Sequence, residues 1–289
     1  MKLSKLKFSS DDKVAYTFIL PSFIIIVSML GYPMLFALNQ SLQDVTVFNE
    51  GSYIGLTNYI NAFQDPAFMG SFGRSFVFVG FSMVGAFVIG LIIALLLNRD
   101  IFGRGFLRAL IILPFIVSEV SVGVIWQWLL SPQLGVLNRM LSAVNLPTFR
   151  WLSNPFLAMV SIIMANTWRL TPFVVLILLA GLQGIDNSFY EAAEVAGANH
   201  WQKFKSITLP MIKPMMLVTL VYLSFASFNQ FSVIFSLTGG GPGNATEVIA
   251  LNMYQNAFQH FNYGYGSALA ILLFLLNVAL SLFYTKVLD

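Results

Sequence analysis

Ser188-Phe-Tyr-Glu-Ala-Ala-Glu-Val-Ala-Gly197, continued by Ala198-Asn-His-Trp-Gln-Lys-Phe-Lys-Ser-Ile-Thr-Leu-Pro210, is a polar, helix-forming stretch set between two long apolar runs. Asp186, Asn187 and Ser188 are candidate N-caps, and Glu191 stands three residues after Ser188, the spacing of a capping box. Glu191, Ala192, Ala193, Glu194 and Ala196 favour helix, and Gly197 suits its C-terminal stop. A second short helix is expected to start near Asn199 and stop before Pro210. The pair forms a compact helix–turn–helix with Phe189, Tyr190, Trp201 and Phe204 as aromatic anchors and Lys203 and Lys205 as cations near an anionic leaflet.

The flanking runs set the class. Of 289 residues, 57% are apolar and 9% charged, and the mean hydropathy is +0.79. That is too little charge to cover a soluble fold of this length. A membrane-crossing helix needs about 20 mostly apolar residues. Six stretches qualify: Val14 to Leu38, Phe76 to Leu97, Ala109 to Leu130, Phe156 to Leu182, Met211 to Leu237 and Ala268 to Val287. The first run exceeds a signal-peptide core, and no A-x-A pattern follows it, so it reads as a retained span. The expected class is an all-α membrane protein with six transmembrane helices. A segment at 1–13 precedes the six-span domain at 14–289, and the polar loop occupies 186–210.

The basic residues give the orientation. With the N-terminus inside, Lys2, Lys5, Lys7, Lys13, Arg99, Arg104, Arg108, Lys203, Lys205, Lys213 and Lys286 lie on the inner side, eleven in all. Arg74, Arg139 and Arg150 make three on the outer side. This bias puts both termini in the cytoplasm. Basic residues so thinly spread do not form a phosphate-binding face, so nucleic acid is not an expected partner.

The spacing Glu191-Ala192-Ala193, three residues, Gly197, nine residues, Ile207-x-Leu209-Pro210 resembles the EAA motif of ABC importer permeases at every defining position. Leu237-Thr-Gly-Gly-Gly-Pro242, Thr246, Tyr254-Gln-Asn-Ala-Phe258, Asn166-Thr-Trp168 with Pro172, and Leu179-Ala-Gly-Leu-Gln183 resemble the carbohydrate-uptake permeases of the maltose and glycerol-3-phosphate transporter type. The chain departs from the maltose-type first permease, which carries extra N-terminal spans and a large external domain.

The resemblance implies a type I importer permease in the cytoplasmic membrane. Glu191, Ala192, Ala193, Gly197, Ile207, Leu209 and Pro210 would form a coupling helix that docks on an ATPase. It also implies a second, homologous permease, two ATPase subunits, and an extracytoplasmic binding protein that delivers a sugar. No G-x-x-x-x-G-K-[ST] occurs in this chain, so ATP and magnesium are expected on the ATPase subunits and no cofactor here. Gly239-Gly-Gly-Pro-Gly243 reads as an external turn.

Two ionisable residues, Glu119 and Arg169, fall inside spans, where charge marks either function or an internal pair. Asn166, Arg169 and Phe173 share one helix face, with Trp168 beside it. Amide, guanidinium and ring together suit a sugar, and the guanidinium also suits an anion such as phosphate. Interhelical bridging is the alternative for Asn166 and Arg169. Ser227 and Gln230 lie three apart, and the resemblance gives them, with the adjacent Asn229, a cavity-lining role. Here too interhelical hydrogen bonding is the alternative. Trp126 and Trp128 fit an interfacial aromatic belt.

A di- or oligosaccharide is therefore the expected cargo, with a glycerol-phosphate-type compound as the alternative because of Arg169. An independent secondary transporter would instead use Glu119 and Arg169 as an ion path. With no Cys, two distant His residues and no carboxylate cluster, no catalytic set or metal site is expected.

Overall fold

The computed structural model of the chain describes residues 10–288. Lys2, Lys5 and Lys7, and most of the expected 1–13 segment, lie outside the described residues. The first apolar run forms α1 (Ser10–Ile26) and α2 (Tyr32–Ser41), joined through a π turn at Val27–Gly31 just before Pro33. An antiparallel hairpin follows, β1 (Gln43–Thr46) and β2 (Asn49–Tyr53), with Gln43 opposite Tyr53. The sequence reading missed this hairpin, whose short, polar strands carry almost no alternation.

After α3 (Thr57–Gln64) comes α4 (Pro66–Leu97), which starts ten residues before the expected span. Asp65 caps it by accepting from the Ala67 N–H at 2.8 Å, and Pro66 occupies its first turn. Asn154 and Pro155 start α8 in the same way, with the Leu157 N–H donating at 3.1 Å.

The expected third span is two helices, α5 (Arg104–Ile116) and α6 (Glu119–Leu129), bent by 101°. Pro114 removes one helical donor just before the bend, and Ser118, in extended backbone, caps α6 by accepting from the Ser121 N–H. Next come α7 (Val136–Ala143), α8 (Pro155–Gln183), α9 (Asn187–Val195), α10 (His200–Lys203) and α11 (Leu209–Met211). The expected fifth span is also divided, into α12 (Lys213–Phe228) and α13 (Ser232–Leu237). The chain ends with α14 (Ile249–Tyr254) and α15 (Tyr263–Leu288).

Among the described residues, four helical segments are long and apolar enough to cross a membrane, and the count reaches six if each bent pair is one span. Packing explains which of them form the centre. In lipid, close approach of helices depends on small residues. Ser82, Ala86, Gly90 and Ala94 repeat every fourth position of α4, and all are buried. They form the seam against α8, where a Cβ added at Gly90 would stand 2.5 Å from Val174 Cγ1. Gly123 plays the same part where α6 meets α13, since an added Cβ there would overlap Ser236.

Two buried apolar clusters result. One includes Phe78, Trp126, Ile162, Ala165, Phe228 and Ile234. The other includes Ala94, Leu170, Leu178, Ile212 and Leu223 and adjoins the α9–α11 loop through Tyr190 and Ile207. Asn166 and Arg169 on α8, and Ser227 on α12, fall between the two clusters.

Candidate functional site

At this junction the side chains form a hydrogen-bonded chain. Asn166 is fully buried, and its Nδ2 donates to Ser227 Oγ at 3.1 Å. Arg169 is buried and donates from Nη2 to Asn166 Oδ1 at 3.4 Å. Its Nη1 lies 3.0 Å from Glu119 Oε1, so the two intramembrane charges pair. The α5–α6 bend allows this pair, because Glu119 is the first residue after the break. It also sits in the first turn of α6, where the helix dipole favours a carboxylate. Desolvation makes a lone interior cation costly, and pairing offsets part of that cost.

Phe173 stands one turn beyond Arg169 and stacks on Tyr222 with ring centroids 3.7 Å apart. Gln230 is buried after the end of α12, and its Nε2 has no hydrogen-bond partner among the described residues; nor has Arg169 Nε. The structure thus brings Asn166, Arg169 and Ser227 into one chain, with Phe173 one turn further along α8 and Gln230 past the end of α12, outside the helix that carries Ser227.

Two expected residues stand apart. Trp168 faces an apolar cavity of about 450 Å³ with Ile93, Pro114 and Trp126, a poor lining for hydroxyls. Asn229 is exposed, and its Nδ2 donates to the Phe225 carbonyl at 2.8 Å, closing its own helix. Trp126 is buried in edge contact with Trp168 and so belongs to the core rather than to an aromatic belt, whereas Trp128 is exposed. Glu119, absent from the expected substrate residues, joins the site; its position inside an apolar run was the signal.

Asn166→Ala would leave the buried Arg169 Nη2 without its amide acceptor. The expected loss is about 1–2 kcal/mol. It would be read as a lower thermal midpoint in detergent, and an unchanged midpoint would show that the chain of hydrogen bonds contributes nothing.

The second group of residues lies on the loop between α8 and α12. The α9 cap is Asp186, which accepts from the Ser188 N–H at 2.8 Å, so the expected Ser188–Glu191 box does not form. The capping box belongs instead to α10, between Asn199 and Gln202. Gly197 has φ +80°, and the Ala198 N–H reaches back to the Ala193 carbonyl at 2.9 Å, which closes α9 in a Schellman turn. The second helix does not stop before Pro210. It passes through a π turn at Phe204–Thr208, reaches Met211 and bends by 65° into α12. The π turns at Val27–Gly31 and Phe204–Thr208 each precede a proline, which lacks the N–H of a regular ladder, whereas a third at Gln255–Gln259 does not.

Tyr190 Oη and Thr208 Oγ1 are 2.9 Å apart, and Lys203 Nζ donates to Glu194 Oε1 at 2.5 Å, so the two arms are tied together. Glu191, Ala192 and Gly197 face outward, as does Pro210, while Ala193, Ile207 and Leu209 are half-buried. Val195 is 92% exposed and Trp201 70%, an apolar surface that none of the described residues covers. The Ser188 N–H holds the Asp186 carboxyl below its ordinary range, and the hydrogen bond and charge of Lys203 do the same for Glu194. Their contribution to the loop is complete at neutral pH and is lost as pH falls through the carboxylate range. Amide protection in α9 is therefore expected to drop on acidification while that of α8 holds; equal behaviour of both helices would contradict this.

Residues 86–288 match the family described as binding-protein-dependent transport system inner membrane component. The chain is 38% identical to the trehalose/maltose transport system permease protein MalF of Thermococcus litoralis, over 98% of this chain and 96% of that one. It is 32% identical to the trehalose transport system permease protein SugA of Mycobacterium tuberculosis, over 92% of this chain and 85% of that one. Its fold is similar to a chain in the crystal structure of a bacterial ABC transporter involved in the import of the acidic polysaccharide alginate. There the TM-score is 0.82 at 27% identity, with 96% of each chain covered.

Proposed function

Because the chain belongs to the binding-protein-dependent transport system inner membrane component family, we propose that it forms half of the pore of a sugar importer, moved by ATP hydrolysed on separate subunits. One observation carries the mechanical part. The outward-facing loop at 186–210 is flanked directly by α8 and α12, the helices that bear Asn166, Arg169 and Ser227. A force on the loop reaches both helices through the chain itself and through Tyr190, Ile207 and Thr208.

In this reading six spans cross the cytoplasmic membrane, with each bent pair counted as one and both termini in the cytoplasm. The loop is the EAA coupling helix. Val195, Phe189 and Trp201 supply the apolar contact on an ATPase surface, with Gly197 leaving backbone room. A second, homologous permease completes the pore, and two ATPase subunits bind the ATP and magnesium. A binding protein delivers the sugar to the opposite face. Closure of the ATPase pair turns α8 and α12 so that the Asn166–Ser227 region opens outward, and hydrolysis returns it inward. Two coupled global states, rather than a static pore, are required for such transport.

The cargo we assign is a di- or oligosaccharide. Asn166, Ser227 and Gln230 offer amide and hydroxyl groups to sugar hydroxyls, and Phe173 with Tyr222 offers ring faces to its C–H surface. Relatives are named for trehalose or maltose on one side and an acidic polysaccharide on the other, so the charge of the cargo is the open variable. The test is ATP hydrolysis by the reconstituted complex with its binding protein across a sugar panel. Stimulation by one sugar class is expected; stimulation by none of them, with amino acids or ions active instead, would refute the sugar assignment.

A further inference from the structure

Arg169 alone would make the junction an anion site, yet its surroundings are arranged otherwise. Its side chain is 9% exposed, while that of Glu119, 3.0 Å away, is 42% exposed. Of the two charges, the carboxylate is therefore the more accessible. The guanidinium is further occupied by Asn166 at 3.4 Å. The α5–α6 bend of 101° at Val117–Ser118 aims Glu119 at α8 and holds it at the start of α6.

We propose that Glu119 is a specificity-determining residue, which cancels Arg169 and presents a hydroxyl acceptor, so that the site admits neutral sugars and rejects anionic ones. A carboxylate accepts from hydroxyls and repels phosphate, sulfonate or uronate groups. The proposal rests on the sugar-import reading and adds the charge class of the cargo. It also explains how an intramembrane arginine is compatible with an uncharged substrate.

The experiment uses the assembled permease–ATPase complex in detergent, without the binding protein, so that only the membrane site selects. Equilibrium binding of trehalose and of trehalose 6-phosphate is measured. The wild type should prefer trehalose. Glu119→Gln frees Arg169 for a charge-assisted bond, so trehalose 6-phosphate should bind about tenfold or more tighter than to wild type. That gain should shrink as salt is added. Glu119→Gln/Arg169→Gln should lose the gain for trehalose 6-phosphate.

No gain in the single variant, or an equal gain in the double one, overturns the assignment, as does a wild type that prefers the phosphate ester. If Glu119→Gln fails to assemble, recovery in the double variant supports charge compensation, and failure of both overturns it. A wild type that binds neither sugar refutes the sugar-import reading instead. Glu119 is then decided with inorganic phosphate, whose binding the single variant alone must create.

Discussion

Gly197→Leu is expected to abolish ATP-driven uptake while the protein still inserts and melts near the wild-type temperature. The two halves of that expectation have separate causes. Gly197 has φ +80°, a conformation that costs a residue with a Cβ about 1 kcal/mol. Among the described residues, none beyond the two chain neighbours lies within 4 Å of the position a Cβ would take, so no packing clash adds to that strain. The added volume projects from the Schellman turn into the surface proposed to meet the ATPase. A graded series separates backbone from bulk. Asn tolerates the left-handed region and should be nearly silent, Ala should weaken ATPase co-purification slightly, and Leu should remove it. If Ala were as damaging as Leu, backbone strain alone would be responsible. Full uptake by the Leu variant would end the docking assignment.

Gly90→Leu is expected to do the opposite, destroying the fold before coupling is reached. An added Cβ would stand 2.5 Å from Val174 Cγ1 and 2.6 Å from its Cβ, well inside contact distance. Gly90 lies midway along the Ser82–Ala94 seam, so neither helix can yield without separating α4 from α8. Overpacking of a tight interface costs about 1–3 kcal/mol, and a full Leu side chain at such a seam should reach the upper end. The expected result is loss of the monodisperse detergent-solubilised protein. Gly90→Ala should lower the thermal midpoint and be partly rescued by Val174→Ala. A normal midpoint for Gly90→Leu would mean that the seam is looser than its geometry.

Hydropathy makes the apolar runs legible because lipid imposes one simple requirement, an unbroken apolar helix of sufficient length. It is blind to breaks inside a run. Ala109–Leu130 is apolar throughout, yet Pro114 and the Ser118 cap divide it. Met211–Leu237 is divided after Phe228 by nothing more conspicuous than Asn229 and Gln230. Cap choice fails for a related reason. Asp186 and Ser188 are both competent, and two residues of register separate them, which propensity does not resolve. Pro210 does not end its helix because the preceding π turn accommodates it.

The candidate site was legible where a single helix face defines it, as with Asn166, Arg169 and Phe173. Trp168 neighbours them in sequence but turns toward Trp126, as a 100° step per residue requires. The Glu119–Arg169 pair, fifty residues apart in sequence, depends on the α5–α6 bend, a tertiary fact that no local pattern carries. In the exposed loop the helix–turn–helix outline and the stop at Gly197 were legible, whereas the cap of α9 and the end of the second helix were not.

The proposed function is decided by sugar uptake into proteoliposomes containing this chain with the proposed second permease and ATPase subunits, with the proposed binding protein outside and ATP inside. Accumulation is expected to require enclosed ATP and the binding protein and to disappear in the Gly197→Leu variant. Accumulation by this chain alone, driven by an ion or proton gradient and indifferent to ATP, would contradict it.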